Sequence, residues 1–183
     1  METTTRQVTL TGIRQIMFDR FPGSMKAGEA LAPMDKLYTE GQAIVLPAVN
    51  ILSFLSSQNT ESAPQRVIGR GWKAVAKAAL SFVDIDPFLI PITREGQGLT
   101  IENAGVTIHN SVARIKKGAL SIPSVKERPV IGLPWEVSFK ITLFKNPDLN
   151  EPILKRLFEE GGLSIGLGTF RGVFGKFEVT KWK

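Results

Sequence analysis

The sequence predicts an α+β domain of ferredoxin-like type, in which helices cover one face of an antiparallel sheet. Segments that alternate apolar and polar residues, as half-buried strands do, are separated by segments with apolar residues three and four apart, as in helices. Residues 135–182 run strand, helix, glycine-rich loop, strand, and residues 8–82 also combine strands with helices. We expect a single domain over residues 1–183, with an inserted basic loop and hairpin region at about 93–130.

The composition is that of a globular protein and excludes several kinds of site. Of the 183 residues, 43% are hydrophobic and 22% are charged. The sequence has no cysteine, which excludes disulfides, thiolate zinc sites and a cysteine nucleophile, and its single histidine excludes most histidine-built metal sites. Neither a signal peptide nor an apolar run of about 20 residues is present. We therefore expect a cytoplasmic protein with no membrane contact and no cofactor.

The charge is positive and unevenly distributed. The formal net charge is +6, and residues 61–130 carry ten basic against six acidic side chains. A basic surface attracts polyanions and supplies the sequence-independent part of nucleic-acid affinity. A soluble basic protein with no such partner is the alternative at this point.

The first half of the chain predicts strands, two helices and connecting loops. Val8 and Leu10 alternate with threonines, and Pro47 can occupy the first turn of a helix that buries Val49, Leu52 and Leu55. Residues 24–43 and 58–65 are rich in polar residues, Gly or Pro and predict loops, the second of them mobile. The predicted elements are, in order, strand 6–14, a short strand 36–38, strand 43–46, helix 48–57 and helix 71–80.

The second of these helices carries a basic ridge. Lys73 and Lys77 are four residues apart and therefore share a face, opposite the apolar Val75 and Ala78. Arg66 and Arg70 precede them at compatible spacing, and Trp72 lies between cations, where it could stack on a base. The ridge is either a solvated helix face or a surface that contacts phosphates.

The middle of the chain predicts an irregular strand over 83–92 and then a β-hairpin. Apolar residues alternate with polar ones on either side of residues 103–105, where we expect the hairpin to turn. A basic irregular segment follows, and Arg128 precedes a proline. The basic residues of this segment that we assign to nucleic-acid binding are Arg114, Lys116, Lys117 and Arg128, with Lys126 between them.

The C-terminal third gives the clearest strand prediction. Trp135, Val137, Phe139, Ile141 and Leu143 alternate with polar residues and should point into the core. Asn150 is a suitable N-cap for a helix that should end at Gly161-Gly162. A last strand is predicted over 176–182.

Between that helix and the last strand lies the most unusual stretch of the sequence. Six of the nineteen residues from 161 to 179 are glycine, and two cations lie among them. Glycine amides can converge on a phosphate, while the cations supply charge. The stretch is not a P-loop, because Phe177 follows Lys176, and it precedes a strand where a dinucleotide site would open a helix. We assign nucleic-acid binding to Gly166, Gly168, Arg171, Gly172, Gly175 and Lys176; a tightly packed crossover is the alternative.

This stretch, from Ile165 to Val179, resembles the C-terminal glycine-rich loop of the RAMP superfamily, the ferredoxin-like and RRM-related proteins of CRISPR effector complexes. The strand 44–46 with Pro47 resembles the turn that opens the first helix in that family. The chain as a whole is similar to uncharacterised phage and prophage proteins with an N-terminal strand, a proline-opened helix, the Arg128-Pro129 dipeptide and a terminal glycine-rich stretch.

The resemblance implies an RRM-like sheet, contact with single-stranded RNA or DNA, and self-assembly or membership of a larger complex. Paired surface aromatics typical of RRM stacking motifs are not evident in the sequence. Thr169-Phe170 replaces the more polar pair that would suit a phosphate, so Phe170 either packs inward or stacks on a base.

The sequence therefore favours a non-enzymatic protein that binds single-stranded nucleic acid. The first alternative is an interaction or assembly protein that binds a host or phage protein through the same fold. The second is a metal-independent endoribonuclease that uses His109 as an acid–base group, as processing members of the superfamily use histidine. Asp84 and Asp86 share a strand face, but a turn before Pro87 explains them better than a metal site does.

Overall fold

In a computed structural model, the protein is described over residues 2–21, 31–57 and 61–183, except for the side chains of residue 113 and of residues 115–117. Eleven strands and four α-helices lie within these ranges. The strands are β1 Thr3–Gly12, β2 Ile16–Met17, β3 Thr39–Glu40, β4 Ala43–Pro47, β5 Val83–Asp86, β6 Leu89–Arg94, β7 Gln97–Gly98, β8 Thr107–Lys117, β9 Leu120–Ile131, β10 Glu136–Phe144 and β11 Phe177–Trp182. The helices are α1 Ala48–Ser56, α2 Ala63–Val67, α3 Trp72–Phe82 and α4 Glu151–Ser164, and a 3-10 helix spans Pro33–Lys36.

The strands form two antiparallel sheets. The larger sheet has eight strands, with the order β11-β1-β10-β6-β4-β3, while β5 pairs with β10 and β7 with β6. The smaller sheet has the order β2-β9-β8 and consists mainly of the long β8–β9 hairpin. The architecture is a mixed α+β fold with a large antiparallel sheet, which confirms the predicted ferredoxin-like class.

One core lies between the large sheet and the helices. The five alternating apolar residues predicted from 135 to 143 are all buried, because β10 is a central strand. Phe54 of α1, Phe158 of α4 and Phe177 of β11 meet with ring centroids 5.6 to 5.7 Å from Phe54. Helix α4 begins as predicted, since the Asn150 side chain accepts a hydrogen bond from the Ile153 amide at 3.0 Å. The core fixes both ends of the loop between α4 and β11.

Several predicted elements differ in position or in buried face. Helix α1 buries Ala48, Ile51, Phe54 and Leu55, while Val49 is exposed. Residues 36–38 are not a strand, because the 3-10 helix ends at Lys36. The predicted loop at 24–43 lies outside the described residues over 24–30, and beyond them it includes β3. The predicted connection at 58–65 lies outside them over 58–60, and α2 begins at Ala63.

The predicted hairpin is longer than expected and turns elsewhere. Residues 103–105 form a local turn in which the Asn103 side chain accepts from the Thr100 amide at 2.7 Å. The alternating pattern continues beyond this turn, so β8 and β9 pair in register from Thr107↔Val130 to Lys117↔Leu120. Gly118, with φ 59°, lies between the two strands. The segment interpreted as basic and irregular is therefore a regular β-ribbon.

Helix α4 does not end at Gly161-Gly162, as the sequence suggested, but continues to Ser164. A Cβ at Gly161 would lie 2.7 Å from Ala63 Cβ, and one at Gly162 would lie 2.6 Å from the Phe177 ring. These two glycines are packing positions that let α2 and β11 approach α4. None of the helices in the described ranges has the length and apolar character needed to cross a membrane.

Candidate nucleic-acid interface

The glycine loop, defined here as residues 165–176, packs against the chain that joins β1 to β2. The Gly175 amide donates to the Gln15 carbonyl at 2.7 Å, and the Thr169 amide donates to the Met17 carbonyl at 2.9 Å. Within the loop, the Leu167 amide donates to the Gly175 carbonyl at 2.9 Å. The loop is therefore a hydrogen-bonded structure fixed to β2.

Most of the glycine amides expected to cradle a phosphate already have acceptors inside the protein. The Gly166 amide donates to the Gly161 carbonyl at 3.2 Å, and the Gly172 amide donates to the Ile165 carbonyl at 2.6 Å. The Gly175 amide donates to the Gln15 carbonyl, so three of the four glycine amides already donate hydrogen bonds within the protein. In this conformation these three do not form the expected cradle.

The loop needs glycine for close packing at its two ends. Gly168 has φ 78° and Gly175 has φ 72°, a region that side chains disfavour. A Cβ at Gly168 would overlap the Met17 carbonyl, and one at Gly175 would overlap the Leu167 carbonyl. Gly166 is similarly enclosed by the backbone of Gly175, whereas Gly172 faces open space. The packed-crossover alternative therefore explains three of the four glycines.

Phe170, at the outer end of the loop, is the residue with an unusual conformation. Its φ is 53°, a value that is rare for a bulky residue, and the residue is 51% exposed. Of the two alternatives left open by the sequence, the structure shows that Phe170 does not pack inward. Strained backbone at an exposed aromatic residue is typical of a functional position.

Phe170 is the end of a row of three rings that connects the glycine loop to the hairpin. The ring centroids of Phe170 and Phe174 are 5.9 Å apart, and those of Phe174 and His109 are 5.3 Å apart in an edge-on contact. His109 lies directly opposite Arg128 in the β8–β9 register, so the row ends beside a guanidinium-bearing residue. We call Phe170, Phe174 and His109 the aromatic row.

Two open clefts share Phe170 as a wall. One, of about 240 Å³, is also lined by Arg128, Ser111 and Thr169. The other, of about 410 Å³, is lined by Arg171 and Glu61. A third cleft, beside Phe174, is lined by Arg14, Gln15 and apolar residues. We call the glycine loop, the aromatic row and these three clefts the loop–hairpin face.

Arg128 is held in place by an ion-pair cluster. Its Nε donates to Asp19 Oδ2 at 2.8 Å, and its Nη1 donates to Ser111 Oγ at 2.7 Å. Lys126 and Lys36 also approach the Asp19 carboxylate, at 3.6 and 3.9 Å. Three cations surround one carboxylate, so the cluster keeps an excess of positive charge beside the first cleft.

The two cations of the glycine loop differ in position. Burial lowers the pKa of Arg171, although a guanidinium remains protonated near neutral pH. Lys176 is half-buried where the loop joins β11, and its carbonyl accepts from the amides of Ile13 and Arg14 at 2.8 and 3.2 Å. Arg171 is therefore the loop cation that lines a cleft, and Lys176 contributes its backbone to the loop's attachment.

The predicted helical ridge lies on α2, α3 and the residues between them. Arg70, Lys73 and Lys77 are exposed, and Trp72 is half-buried. Arg66 donates to both oxygens of Glu61 at 2.8 and 2.9 Å, and Glu61 lines the Arg171 cleft. The structure thus brings Arg66 near the glycine loop, while the other three cations lie along the helical layer.

The structure also shows where the other residues singled out by the sequence lie. Arg114 is exposed on β8; Lys116 and Lys117 lie on the same strand, with side chains outside the described part. Asp86 pairs with Lys140 at 2.9 Å, and the described residues contain no group of three or more metal-ligating side chains. Trp135 is buried, and Trp182 Nε1 donates to Glu151 Oε1 at 3.1 Å.

Sequence reasoning missed three residues of the loop–hairpin face: Arg14, Asp19 and Phe174. Phe174 had a usable signal, because it is an aromatic residue next to Gly175 in the same stretch as Phe170. Asp19 had none, since its three cationic partners come from distant parts of the chain. Arg14 lines its cleft because the chain turns between β1 and β2.

Comparison with known proteins finds a likeness in structure only. No family model matches the sequence, and no curated protein matches it. A chain in the cryo-EM structure of the type III-B Cmr-beta bound to cognate target RNA has the same fold, with a TM-score of 0.53 and 16% sequence identity. The match covers 100% of this chain but 60% of that chain, so the protein spans less than two thirds of its structural neighbour. At this identity the likeness shows the fold.

Proposed function

We propose that the protein is a non-enzymatic, RAMP-like subunit that binds single-stranded nucleic acid on its loop–hairpin face. The observation that carries this proposal is the arrangement of Arg128 and Arg171, which line two clefts that meet at Phe170. These residues come from the hairpin and from the glycine loop, two of the three basic segments that the sequence assigned to nucleic-acid binding; the third is the helical ridge. Fold similarity to a chain of an RNA-bound complex supports the same proposal.

The mechanism differs from the one that the sequence suggested. Side-chain guanidinium groups, and not a cradle of glycine amides, provide the phosphate contacts, because three of the amides are bonded within the protein. Arg128 is pre-positioned by Asp19 and Ser111, which reduces the conformational entropy lost on binding. The exposed Arg70, Lys73 and Lys77 add a weaker, longer-range attraction along the helical layer.

A specific observation also favours assembly with other proteins as a second function. Val112 and Val125 are paired across the β8–β9 hairpin and are 71% and 67% exposed, and Leu120 near the turn is 68% exposed. Exposed apolar side chains on both strands of a ribbon are typical of a contact surface. Self-assembly and a phage origin remain predictions of the sequence. Light scattering after nuclease treatment in high salt tests self-assembly through this surface: a monomer at all concentrations contradicts self-assembly.

The binding experiment compares two charge removals of equal size. Arg171→Gln should weaken the affinity for an oligouridylate or oligothymidylate of about 16 nucleotides by about tenfold at low salt. The slope of log K against log salt concentration should become shallower by about 0.7, because one phosphate contact is lost. Lys181→Gln, on β11 and away from the clefts, is the control and should leave both quantities close to wild type. Fluorescence anisotropy titrations over a series of salt concentrations measure both.

Three outcomes contradict the proposal. If the wild-type protein binds neither oligonucleotide, nucleic-acid binding is wrong, and the assembly function takes its place. If Arg171→Gln and Lys181→Gln weaken binding equally, the affinity arises from net charge and not from the loop–hairpin face. Cleavage of RNA by the wild type but not by His109→Ala would instead identify an endoribonuclease.

A further inference from the structure

We propose that the aromatic row is a base-stacking platform, with Phe170 as the ring that receives a nucleobase. This inference rests on the proposed function and adds to it that the protein contacts the bases as well as the phosphates. It assigns the loop–hairpin face to unpaired nucleotides, since bases within a duplex are already stacked on each other.

The geometry of Phe170 suits this role. Its ring separates the Arg128 cleft from the Arg171 cleft, so a chain that passes over it has a guanidinium-bearing residue on each side. A base on the ring would therefore lie between two positions where phosphates can be held. Stacking on an exposed aromatic side chain with flanking cations is a general mode of single-strand binding.

The other rings keep Phe170 in place. Phe174 contacts Phe170 with the two ring planes inclined by 34°, and His109 contacts Phe174 with an angle of 65°. The half-buried Phe174 thus links the exposed ring to β8, the first strand of the hairpin. A side chain fixed in this way loses little entropy when a base stacks on it.

The backbone of Phe170 indicates that its exposure serves binding. A φ of 53° at a phenylalanine is unfavourable, and the residue is 51% exposed, so its burial offsets only part of that cost. The backbone here could adopt this conformation more easily with glycine or asparagine. An aromatic residue at such a position is explained if the ring has a partner outside the chain.

The chemistry of the row favours a nucleobase over an extended peptide. A peptide that added to a strand edge would need a line of backbone donors and acceptors. Three glycine amides of the glycine loop already donate hydrogen bonds within the protein, and the loop presents flat rings between guanidinium groups. Flat rings between cations complement a flat base that is flanked by phosphates.

The test compares two probes of equal charge. One is an oligouridylate of about 16 nucleotides, and the other is an abasic ribose-phosphate chain of the same length. Wild-type protein should bind the oligouridylate about 5- to 150-fold more tightly, the range expected for stacking on one aromatic residue. The Phe170→Leu variant, which keeps an apolar side chain but loses the aromatic ring, should lose most of this preference. Arg171→Gln should weaken the binding of both probes by the same factor and keep the preference.

A second measurement reports stacking directly. An oligonucleotide with 2-aminopurine should lose fluorescence on binding to the wild type and regain most of it with Phe170→Leu at saturating protein. Equal affinity of the wild type for the two probes, or an unchanged base preference in Phe170→Leu, would overturn the stacking platform while leaving phosphate binding intact. Failure to bind either probe would overturn the proposed function itself.

Discussion

The base and the tip of the glycine loop both contain glycine, but they differ in how closely the surrounding chain packs against them. At the base, Gly166, Gly168 and Gly175 are enclosed by backbone, and a side chain at any of them would overlap neighbouring main-chain atoms. At the tip, Gly172 faces open space and Phe170 holds an exposed ring in a strained conformation. Glycine content alone does not distinguish the two regions, but the contacts around each residue do.

The difference shows how the loop separates folding from binding. The base fixes the loop to the β1–β2 connection through backbone hydrogen bonds, at a cost in glycine entropy. The rigid base then holds the tip in a conformation that is locally unfavourable, between the hairpin and Glu61, which precedes α2. Substitutions at the base should therefore change stability first, and substitutions at the tip should change binding first.

The largest effect is expected at the base. Gly175→Ala should lower the free energy of unfolding by about 3 kcal/mol, because the residue has a positive φ and its new Cβ would overlap the Leu167 carbonyl. Gly172→Ala, with φ 89° but open space around it, should cost about 1 kcal/mol from backbone strain alone. Urea denaturation of the two variants measures the difference.

The two alanine variants are matched controls for each other, since each replaces a loop glycine with a positive φ. Equal destabilisation would mean that backbone conformation decides and that close packing at the base contributes nothing. A stable Gly175→Ala variant would show that the loop can move away from β2, and the comparison between base and tip would fail.

At the tip, a change in the strained residue should have little effect on stability. Phe170→Asn places a residue that tolerates positive φ at this position, and the relief of strain should offset the lost ring contacts to within about 1 kcal/mol. Affinity for the oligouridylate should fall in the same variant. A loss of more than about 2 kcal/mol in the free energy of unfolding would identify Phe170 as a structural residue.

Local pattern was enough to predict much of the fold. Alternation identified β10 with its four inward side chains and the buried Trp135 just before it, because a central strand with a buried face must repeat every two residues. Asn150 identified the start of α4, because capping depends on neighbours within one turn. The concentration of glycine around Arg171 located the loop that borders the clefts.

Long-range contacts decided what the sequence could not predict. The hairpin turn was misplaced because residues 103–105 are also a turn, and strand register depends on partners across the ribbon. The use of the Gly175 amide depends on the carbonyl of Gln15, which lies near the other end of the sequence, so no local pattern reveals it. The cluster around Asp19 likewise joins residues far apart in the sequence.

The smallest effect is expected at a polar cluster away from the loop. A substitution there tests whether stability can change while nucleic-acid affinity does not. Partial burial acts against the ionised form of Glu151, but hydrogen bonds from Trp182 and Arg6 outweigh it and lower the pKa of this carboxyl group. Arg6 Nε donates to Glu151 Oε1 at 2.6 Å and Arg6 Nη2 to Oε2 at 2.8 Å. Glu151→Gln should cost about 1 kcal/mol at pH 7.

The pH dependence of that cost has a definite sign. A pKa lowered by folding contributes stability above the unfolded value of 4.5 and loses it as the pH falls through the folded value. The wild type and Glu151→Gln should therefore converge in stability toward about pH 3, as measured by urea denaturation. Nucleic-acid affinity at pH 7 should not change, since Glu151 lies at the start of α4, about 20 Å along the helix from the glycine loop. A loss of affinity in Glu151→Gln would show that a change at the start of α4 reaches the tip of the glycine loop. The fixed base of the loop would then not protect the tip from such changes.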